Sequence, residues 1–136
     1  MRRSITRVLL GVGCLFLPLY AAEVQLIHSI EGPALYQSYC ATCHGKDARG
    51  NGLFTKVLKK VPPDLARIAV RNHGVFPMEK VQRIISGESE RPEHGTKEMP
   101  IWGPIFSQVE RDQDWGRVRI ANLGKYLESI QGRGPK

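Results

Sequence analysis

The sequence lacks several features that would assign it to common classes of protein. It contains no apolar run as long as the roughly 18 residues needed to span a bilayer, which excludes a multi-pass membrane protein. It has no P-loop, no G-x-S-x-G motif and no G-x-G-x-x-G after a strand-like segment, so nucleotide-binding and hydrolase functions have no support. Cysteine is scarce, with three in 136 residues. The 41% hydrophobic and 24% charged residues are typical of one globular domain and exclude a disordered or coiled-coil chain.

The N-terminus has the layout of a secretory signal peptide. The first seven residues carry three arginines and no acidic residue, the next ten are apolar, and a proline and two alanines follow. We expect cleavage after Ala22, which makes residues 1–22 a signal peptide and residues 23–136 the mature domain. Two alternatives are an uncleaved membrane anchor and a lipoprotein attached through Cys14. An exported chain of this kind is expected in the periplasm.

The excess of positive charge depends partly on that N-terminal segment. The formal net charge is +7, and removal of residues 1–22 would lower it by three. The remaining basic residues are interleaved with acidic ones, as in residues 88–91 and 110–112. Because they form no dense basic stripe with aromatic residues, we expect no nucleic-acid partner.

The two cysteines of the mature domain form the most informative motif. Cys40 and Cys43 lie three positions apart, and His44 follows at once. On a helix these three residues share one face, so two thioethers can hold the edge of a flat macrocycle while the imidazole reaches its iron. C-x-x-C-H is the attachment signature of c-type haem. We therefore expect one covalently bound haem c, with His44 as an axial ligand of the iron.

Two other sites with this spacing are less well supported by the rest of the sequence. A zinc site would need a second close pair of ligands, and the other histidines are scattered singly. A thioredoxin-like dithiol would follow a strand within a βαβ pattern, which the flanking sequence does not show.

Met99 is the expected second axial ligand of the haem iron. A thioether ligand stabilises ferrous iron and suits an electron carrier. Met99 precedes Pro100 in a segment without helical periodicity, and the proline keeps it out of helical geometry. Met78 instead begins a short amphipathic helix that ends at a glycine, so we expect it in the core. Two histidines compete with Met99 for the iron: His73 and His94.

Seven segments between residues 32 and 127 match one known pattern: Gly32-Pro33-Ala34-Leu35-Tyr36, Cys40-Ala41-Thr42-Cys43-His44-Gly45, Gly50-Asn51-Gly52, Val61-Pro62-Pro63-Asp64-Leu65, Phe76-Pro77, Met99-Pro100-Ile101-Trp102-Gly103 and Leu123-Gly124-Lys125-Tyr126-Leu127. With them the chain resembles the class I, cytochrome c-like monohaem proteins of the bacterial periplasm. The resemblance covers nearly the whole mature domain.

The resemblance implies an all-α cytochrome c fold, in which three to five helices wrap around one covalently bound haem. The first and last helices would cross near the haem edge, with Gly32 and Tyr36 meeting Leu123 and Tyr126. We place the last helix at residues 114–130. Its buried stripe would consist of apolar and aromatic residues: Trp115, Val118, Tyr126, Leu127 and Ile130.

The resemblance also implies roles for residues around the haem. Pro62 or Pro63 would offer a backbone carbonyl to the second imidazole nitrogen of His44 and so orient the ring. The haem propionates are carboxylates that need donors when half buried. The candidate donors are Trp102, Arg71, Arg91 and His94.

The function implied by the resemblance is the shuttling of single electrons between redox partners in the periplasm. With two axial ligands retained, the iron has no open site for a substrate, so we expect no enzymatic activity. We expect a monomer with transient protein partners, including membrane complexes, and an acidic docking face on the partner. Basic residues near the haem segments would steer that partner: Lys46, Arg49, Lys56, Lys59, Lys60 and Lys97.

Two other functions remain open at the level of sequence. In a haem-based gas sensor, Met99 would leave the iron and a small ligand would enter. In a cytochrome c subunit of a membrane oxidoreductase complex, an uncleaved N-terminus would hold the domain at the membrane.

Overall fold

The computed structural model describes residues 27–89, 99–108 and 113–132. These ranges contain helices and turns but no strand, and the expected all-α fold is confirmed. A π-helical turn over Tyr36–Cys40 joins the first two helices, and 3-10 turns lie at Leu53–Lys56 and Leu65–Arg67. The helices are α1 (Gly32–Leu35), α2 (Ala41–His44), α3 (Ile68–Arg71), α4 (Met78–Ser86), α5 (Trp102–Gln108) and α6 (Gln113–Ser129).

Some sequence predictions fall beyond these ranges. The expected signal peptide at residues 1–22 and its expected cleavage site lie outside the described residues. Within the part of the chain that is described, no helix has both the length and the apolar character needed to cross a membrane.

The crossing of the first and last helices is confirmed. A side chain added at Gly32 would lie 2.7 Å from Cβ of Tyr126 and closer still to the backbone oxygen of Asn122, so the two helices are in direct backbone contact. Next to this contact the rings of Tyr36 and Tyr126 pack with centroids 5.3 Å apart. Leu123 is buried in the same core. A residue without a side chain is therefore required where α1 meets α6.

Helix α4 matches its sequence prediction closely. It runs from Met78 to Ser86 and ends at Gly87, which adopts a left-handed conformation with φ of 84°. The amide of Gly87 donates to the carbonyl of Ile84, and that of Glu88 donates to the carbonyl of Arg83. The glycine thus supplies the positive φ with which a helix commonly ends.

The buried face of α6 differs from the predicted stripe. Trp115 and Val118 are 40% and 37% exposed, so their assignment to the core is wrong. Leu127 is buried, and Tyr126 and Ile130 pack partly buried against the core, as expected. The buried positions of the helix recur at helical spacing and include two glycines and a charged residue: Gly116, Arg119, Leu123, Gly124 and Leu127.

Arg119 explains why the helix turns this face inward. Its side chain is fully buried and donates hydrogen bonds to the carbonyl oxygens of Ser29 at 3.2 Å and of His28 and Phe106 at 3.4 Å. The five donors of a guanidinium can serve several carbonyls at once, and its aliphatic stem packs like an apolar residue. Arg119 therefore fixes both the segment that precedes α1 and the helix α5 onto α6.

The C-terminal end of α6 is connected to the chain around α3. The side chain of Gln131 accepts from the amide of Ala69 at 2.9 Å and donates to the carbonyl of Leu65 at 2.8 Å. The amide of Gly132 also donates to the carbonyl of Ala66 at 3.1 Å. These bonds hold residues 65–69 against the end of the last helix.

An aromatic cluster packs α5 against the π-helical turn. The ring of Tyr39 lies 5.1 Å from that of Trp102 and 5.3 Å from that of Phe106, measured between centroids. Trp102 and Phe106 are stacked at 5.6 Å on one face of α5. Since such pairs add to the stabilisation from burial, the cluster fixes α5 beside the cysteine-containing segment.

The role of Arg119 can be tested by replacement with an uncharged side chain of similar shape. We expect Arg119→Met to lower the free energy of unfolding by about 3 kcal/mol, because it removes hydrogen bonds from a charged donor and leaves the buried Phe106 carbonyl without its donor. Denaturation of the haem-loaded protein by guanidinium chloride, followed by far-UV circular dichroism, measures the change. The matched control is Arg117→Met, since Arg117 pairs with Asp114 on the surface with both side chains 75% exposed, and little change is expected. Equal midpoints for the two variants would contradict the assigned role.

The helix crossing can be tested by adding a methyl group at two glycines. We expect Gly32→Ala to lower the free energy of unfolding by about 2 kcal/mol, because the new group meets backbone that has little freedom to move. Gly124→Ala should be close to neutral, since its nearest neighbours are the flexible ends of Met78 and Gln82 and alanine favours a helix by about 1 kcal/mol. Thermal unfolding of both variants provides the comparison, and a larger loss for Gly124→Ala would refute this account of the crossing.

Candidate haem site

A cavity of about 410 Å³ lies between α2, α4, the segment before α5 and the buried face of α6. This volume falls within the range of about 300–1,000 Å³ that is usual for cofactor sites. Much of the wall is formed by aliphatic side chains of four elements: Leu65, Ile68, Val81, Ile84, Ile85, Leu123 and Leu127. The cavity is therefore suited to a large, mainly apolar group.

The residues of the C-x-x-C-H motif lie together at this cavity. Cys40 ends the π-helical turn, Cys43 and His44 lie on α2, and all three line the cavity wall. The two cysteines are not joined in a disulfide. Their placement on one side of the cavity is the arrangement that two thioether bonds to the edge of a macrocycle would require.

Burial raises the pKa of the Cys40 thiol to about 12, and the neighbouring Cys43 adds to the effect. Burial also raises the pKa of Cys43. Both shifts disfavour the thiolate form. A dithiol oxidoreductase needs a cysteine whose pKa is lowered, because the thiolate is its nucleophile. The thioredoxin-like alternative has no support from this environment.

The imidazole of His44 is held at the cavity by the chain that follows. His44 is 8% exposed, and its Nδ1 lies 3.5 Å from the carbonyl oxygen of Pro63. With the proton on Nδ1 this contact orients the ring, and Nε2 then carries the lone pair that binds a metal. Pro62 and Pro63 both line the cavity, but the carbonyl that faces the imidazole belongs to Pro63.

The loop after α2 satisfies the carbonyls at the end of that helix. The amide of Gly50 donates to the carbonyl of His44 at 2.7 Å, and the amide of Gly52 donates to the carbonyl of Cys43 at 3.2 Å. The hydroxyl of Thr55 also donates to the Cys43 carbonyl at 3.3 Å. A side chain at Gly52 would overlap the backbone of Thr42 and Cys43, which explains the glycine there. The loop thus supplies the donors that the Cys43 and His44 carbonyls lack at the end of the helix.

Met99 and Met78 occupy different surroundings. Met99 lies directly before α5, is half-buried and lines the cavity. Met78 is not among the lining residues, and its sulfur packs where a side chain on Gly124 would lie. Of the two competing histidines, His73 is exposed and does not line the cavity, and His94 lies outside the described residues. Met99 is thus the thioether that the structure brings to the same cavity as His44.

The candidate propionate donors are only partly brought together. Trp102 is buried and lines the cavity, and Arg71 lines it from the end of α3. Arg91 and His94 lie outside the described residues.

The cavity has two further cations, of which Lys80 was missed by the sequence analysis and Lys60 was expected only to steer a partner. Lys60 and Lys80 line it together with Arg71, and the formally charged residues of the described lining are all basic. Lys80 stands beside Val81 on an amphipathic helix, where the sequence reads as ordinary surface charge. Only the fold brings these cations to one cavity.

The donor set fits a haem rather than a metal ion held by protein ligands alone. Across the residues that the structure describes, no three His, Cys, Asp or Glu side chains are grouped as metal ligands. Two thiols, an imidazole, a thioether and an apolar wall instead share one cavity, with cations that can pair with carboxylates.

Comparisons with known proteins agree with the assignment of the cavity to a haem. The family model described as cytochrome C oxidase, cbb3-type, subunit III matches residues 30–115, which is more than half of the chain. Searches of curated proteins and of solved structures gave no significant match. The matched range includes the cavity-lining residues from Tyr36 to Trp102, and this family implies covalently bound haem c with its iron and an electron-transfer function. The chain belongs to this family of c-type cytochromes.

Proposed function

We propose that the protein is a periplasmic monohaem electron carrier in which Cys40 and Cys43 bind the haem and His44 and Met99 are its axial ligands. The observation that carries the proposal is that these four side chains line one apolar cavity. They come from two segments separated by more than fifty residues, so no local sequence pattern brings Met99 to the site.

Haem c, when bound, supplies an iron that takes up and releases one electron. The chain's own residues set the conditions for that exchange. The Pro63 carbonyl orients His44, and the thioether of Met99 favours the ferrous form. The aliphatic wall keeps water away from the site. With His44 and Met99 both bound to the iron, a substrate would have no position to enter, which supports a carrier without enzymatic activity.

Cations of the cavity wall are suited to the haem propionates. Arg71, Lys60 and Lys80 can each pair with a carboxylate, and the indole N–H of Trp102 can donate a hydrogen bond. Burying a propionate carboxylate without hydrogen-bond donors is costly, so these residues would help to retain the haem. They would also place positive charge at the cavity, which disfavours the more highly charged ferric form.

Two features support a periplasmic location: the chemistry of haem attachment and the composition of the N-terminus. Covalent attachment of haem needs an exported chain, and residues 1–22 have the composition of a signal peptide. In this proposal the mature domain begins at Glu23, works as a monomer and exchanges electrons with transient protein partners.

A second candidate function is favoured by the description of the matching family. That family is named after a subunit of an oxidase, so the domain would instead belong to a membrane oxidoreductase complex. Osmotic shock of expressing cells distinguishes the two. For a free carrier we expect a soluble haem protein that purifies alone and begins at Glu23. Recovery only from detergent-solubilised membranes, together with other subunits, would show that the protein is a subunit of a membrane complex and not a free carrier.

Ligation by Met99 can be tested with visible spectra of the haem-loaded protein. We expect the weak far-red methionine–iron band in the ferric form and no response of the ferrous form to carbon monoxide. Met99→Ala should lose the band, bind carbon monoxide and show a lower reduction potential, because the thioether that stabilises ferrous iron is gone.

The matched control is Met78→Ala, which should keep the band because Met78 packs against α6 and not at the cavity. Ready binding of carbon monoxide by the unaltered protein would contradict the carrier and support the gas sensor.

A further inference from the structure

Residues 27–30, which precede α1, form an irregular segment that we call the N-terminal strap. The backbone groups of such a segment need hydrogen-bond partners from other elements when they are partly buried. Arg119 and Asn122 on α6 donate to three consecutive carbonyls of the strap, those of His28, Ser29 and Ile30. The strap is thus held along its length on the last helix.

The first residue of the strap is joined to the aromatic cluster at the cavity. The amide of Ile27 donates to the hydroxyl oxygen of Tyr39 at 2.6 Å. The ring of the same tyrosine packs against Trp102 and Phe106 on α5, and both Tyr39 and Trp102 line the cavity. Tyr39 therefore contacts the strap with its hydroxyl and α5 with its ring.

Arg119 makes a second link between the strap and α5. Its fully buried guanidinium donates to the Ser29 carbonyl at 3.2 Å and to the Phe106 carbonyl at 3.4 Å. Because the donors of a guanidinium are fixed relative to one another, the two carbonyls are held in one arrangement. A displacement of α5 would therefore weaken the bonds of Arg119 to the strap as well.

Met99 is connected to α5 by a short and restricted piece of chain. It lies three residues before Trp102, and Pro100 between them limits the backbone. The side chain of Ile101 packs where a side chain on Gly87 would lie, so the connection is also held from outside. A displacement of Trp102 would consequently move Met99 in the cavity.

Resting on the proposed function, we propose that the N-terminal strap positions Met99 on the haem iron, with Tyr39 and Arg119 as the positioning residues. Departure of Met99 from the iron displaces α5 and loosens the strap. Since coupling between two sites is reciprocal, loosening the strap also favours the form in which the methionine has left the iron.

A purely structural role of the strap would stabilise the domain equally with Met99 on or off the iron. Gln131 provides the comparison, because its side chain also bonds to backbone groups of a distant segment, at Leu65 and Ala69. Those bonds hold the cavity wall next to Pro63, whose carbonyl faces His44. Gln131→Ala therefore destabilises the fold without touching the connection to Met99.

Imidazole, a good ligand of iron, measures how often Met99 leaves the ferric haem of the loaded protein. Its apparent affinity rises in proportion to the fraction of molecules whose methionine has dissociated. We expect Arg119→Met to bind imidazole about tenfold more tightly than the unaltered protein, within the range usual for coupled sites. Tyr39→Phe keeps the ring and should bind it about fivefold more tightly, the factor that one net hydrogen bond corresponds to.

Gln131→Ala should have the imidazole affinity of the unaltered protein although its denaturation midpoint is lower. Affinities of Arg119→Met and Tyr39→Phe equal to that of Gln131→Ala would overturn the proposal. If Arg119→Met does not retain haem, the comparison of Tyr39→Phe with Gln131→Ala decides.

The reciprocal effect is measured by hydrogen exchange of the unaltered protein. Saturation with imidazole should speed exchange in the peptide that contains residues 27–31 by about tenfold, because the strap opens more often once Met99 is displaced. The peptide that contains residues 65–69 should exchange equally fast with and without imidazole, since Gln131 holds it independently. Unchanged protection of residues 27–31 would contradict the coupling.

The far-red methionine–iron band of the unaltered ferric protein separates this inference from the proposed function. With the band present, equal imidazole affinities in all variants would leave Met99 as the ligand and remove the positioning role of the strap. An unaltered protein without the band would remove ligation by Met99, and this inference with it.

Discussion

The architecture depends on the direct contact of α1 with α6 at Gly32. Because no side chain separates the two backbones there, Tyr36 packs against Tyr126 and is completely buried. The hydroxyl of Tyr36 then donates to the carbonyl of Gly45 at 2.7 Å, directly after the cysteine-containing helix. The contact between two distant parts of the chain thus sets the position of Cys40, Cys43 and His44 relative to the rest of the cavity.

Local signals in the sequence were sufficient for helix α4. The proline before Met78 and the glycine at position 87 bracket it as predicted, because each residue type has a specific backbone consequence that needs no knowledge of distant contacts. The crossing at Gly32 was predicted from the resemblance to cytochromes c, and the structure confirms it.

The inward face of α6 could not be predicted in the same way. A hydrophobic periodicity treats Arg119 as a surface residue, and its burial depends on carbonyl groups of two other segments. Gly116 and Gly124 lie where α5 and α4 approach the helix, which no apolar periodicity indicates. The same limit applies to the haem site, because Lys60 and Lys80 reach the cavity only through the tertiary fold.

The bonds of Gln131 to residues 65–69 have a consequence for the order in which the protein is assembled. Gln131 bonds to residues 62 and 66 positions earlier in the chain, and this contact holds the part of the cavity wall next to Pro63. A chain synthesised from its N-terminus presents Cys40 and Cys43 long before Gln131 appears. During that interval this part of the cavity wall lacks its bonds to the end of α6, so the cavity beside the two cysteines is completed only when the last helix folds onto it.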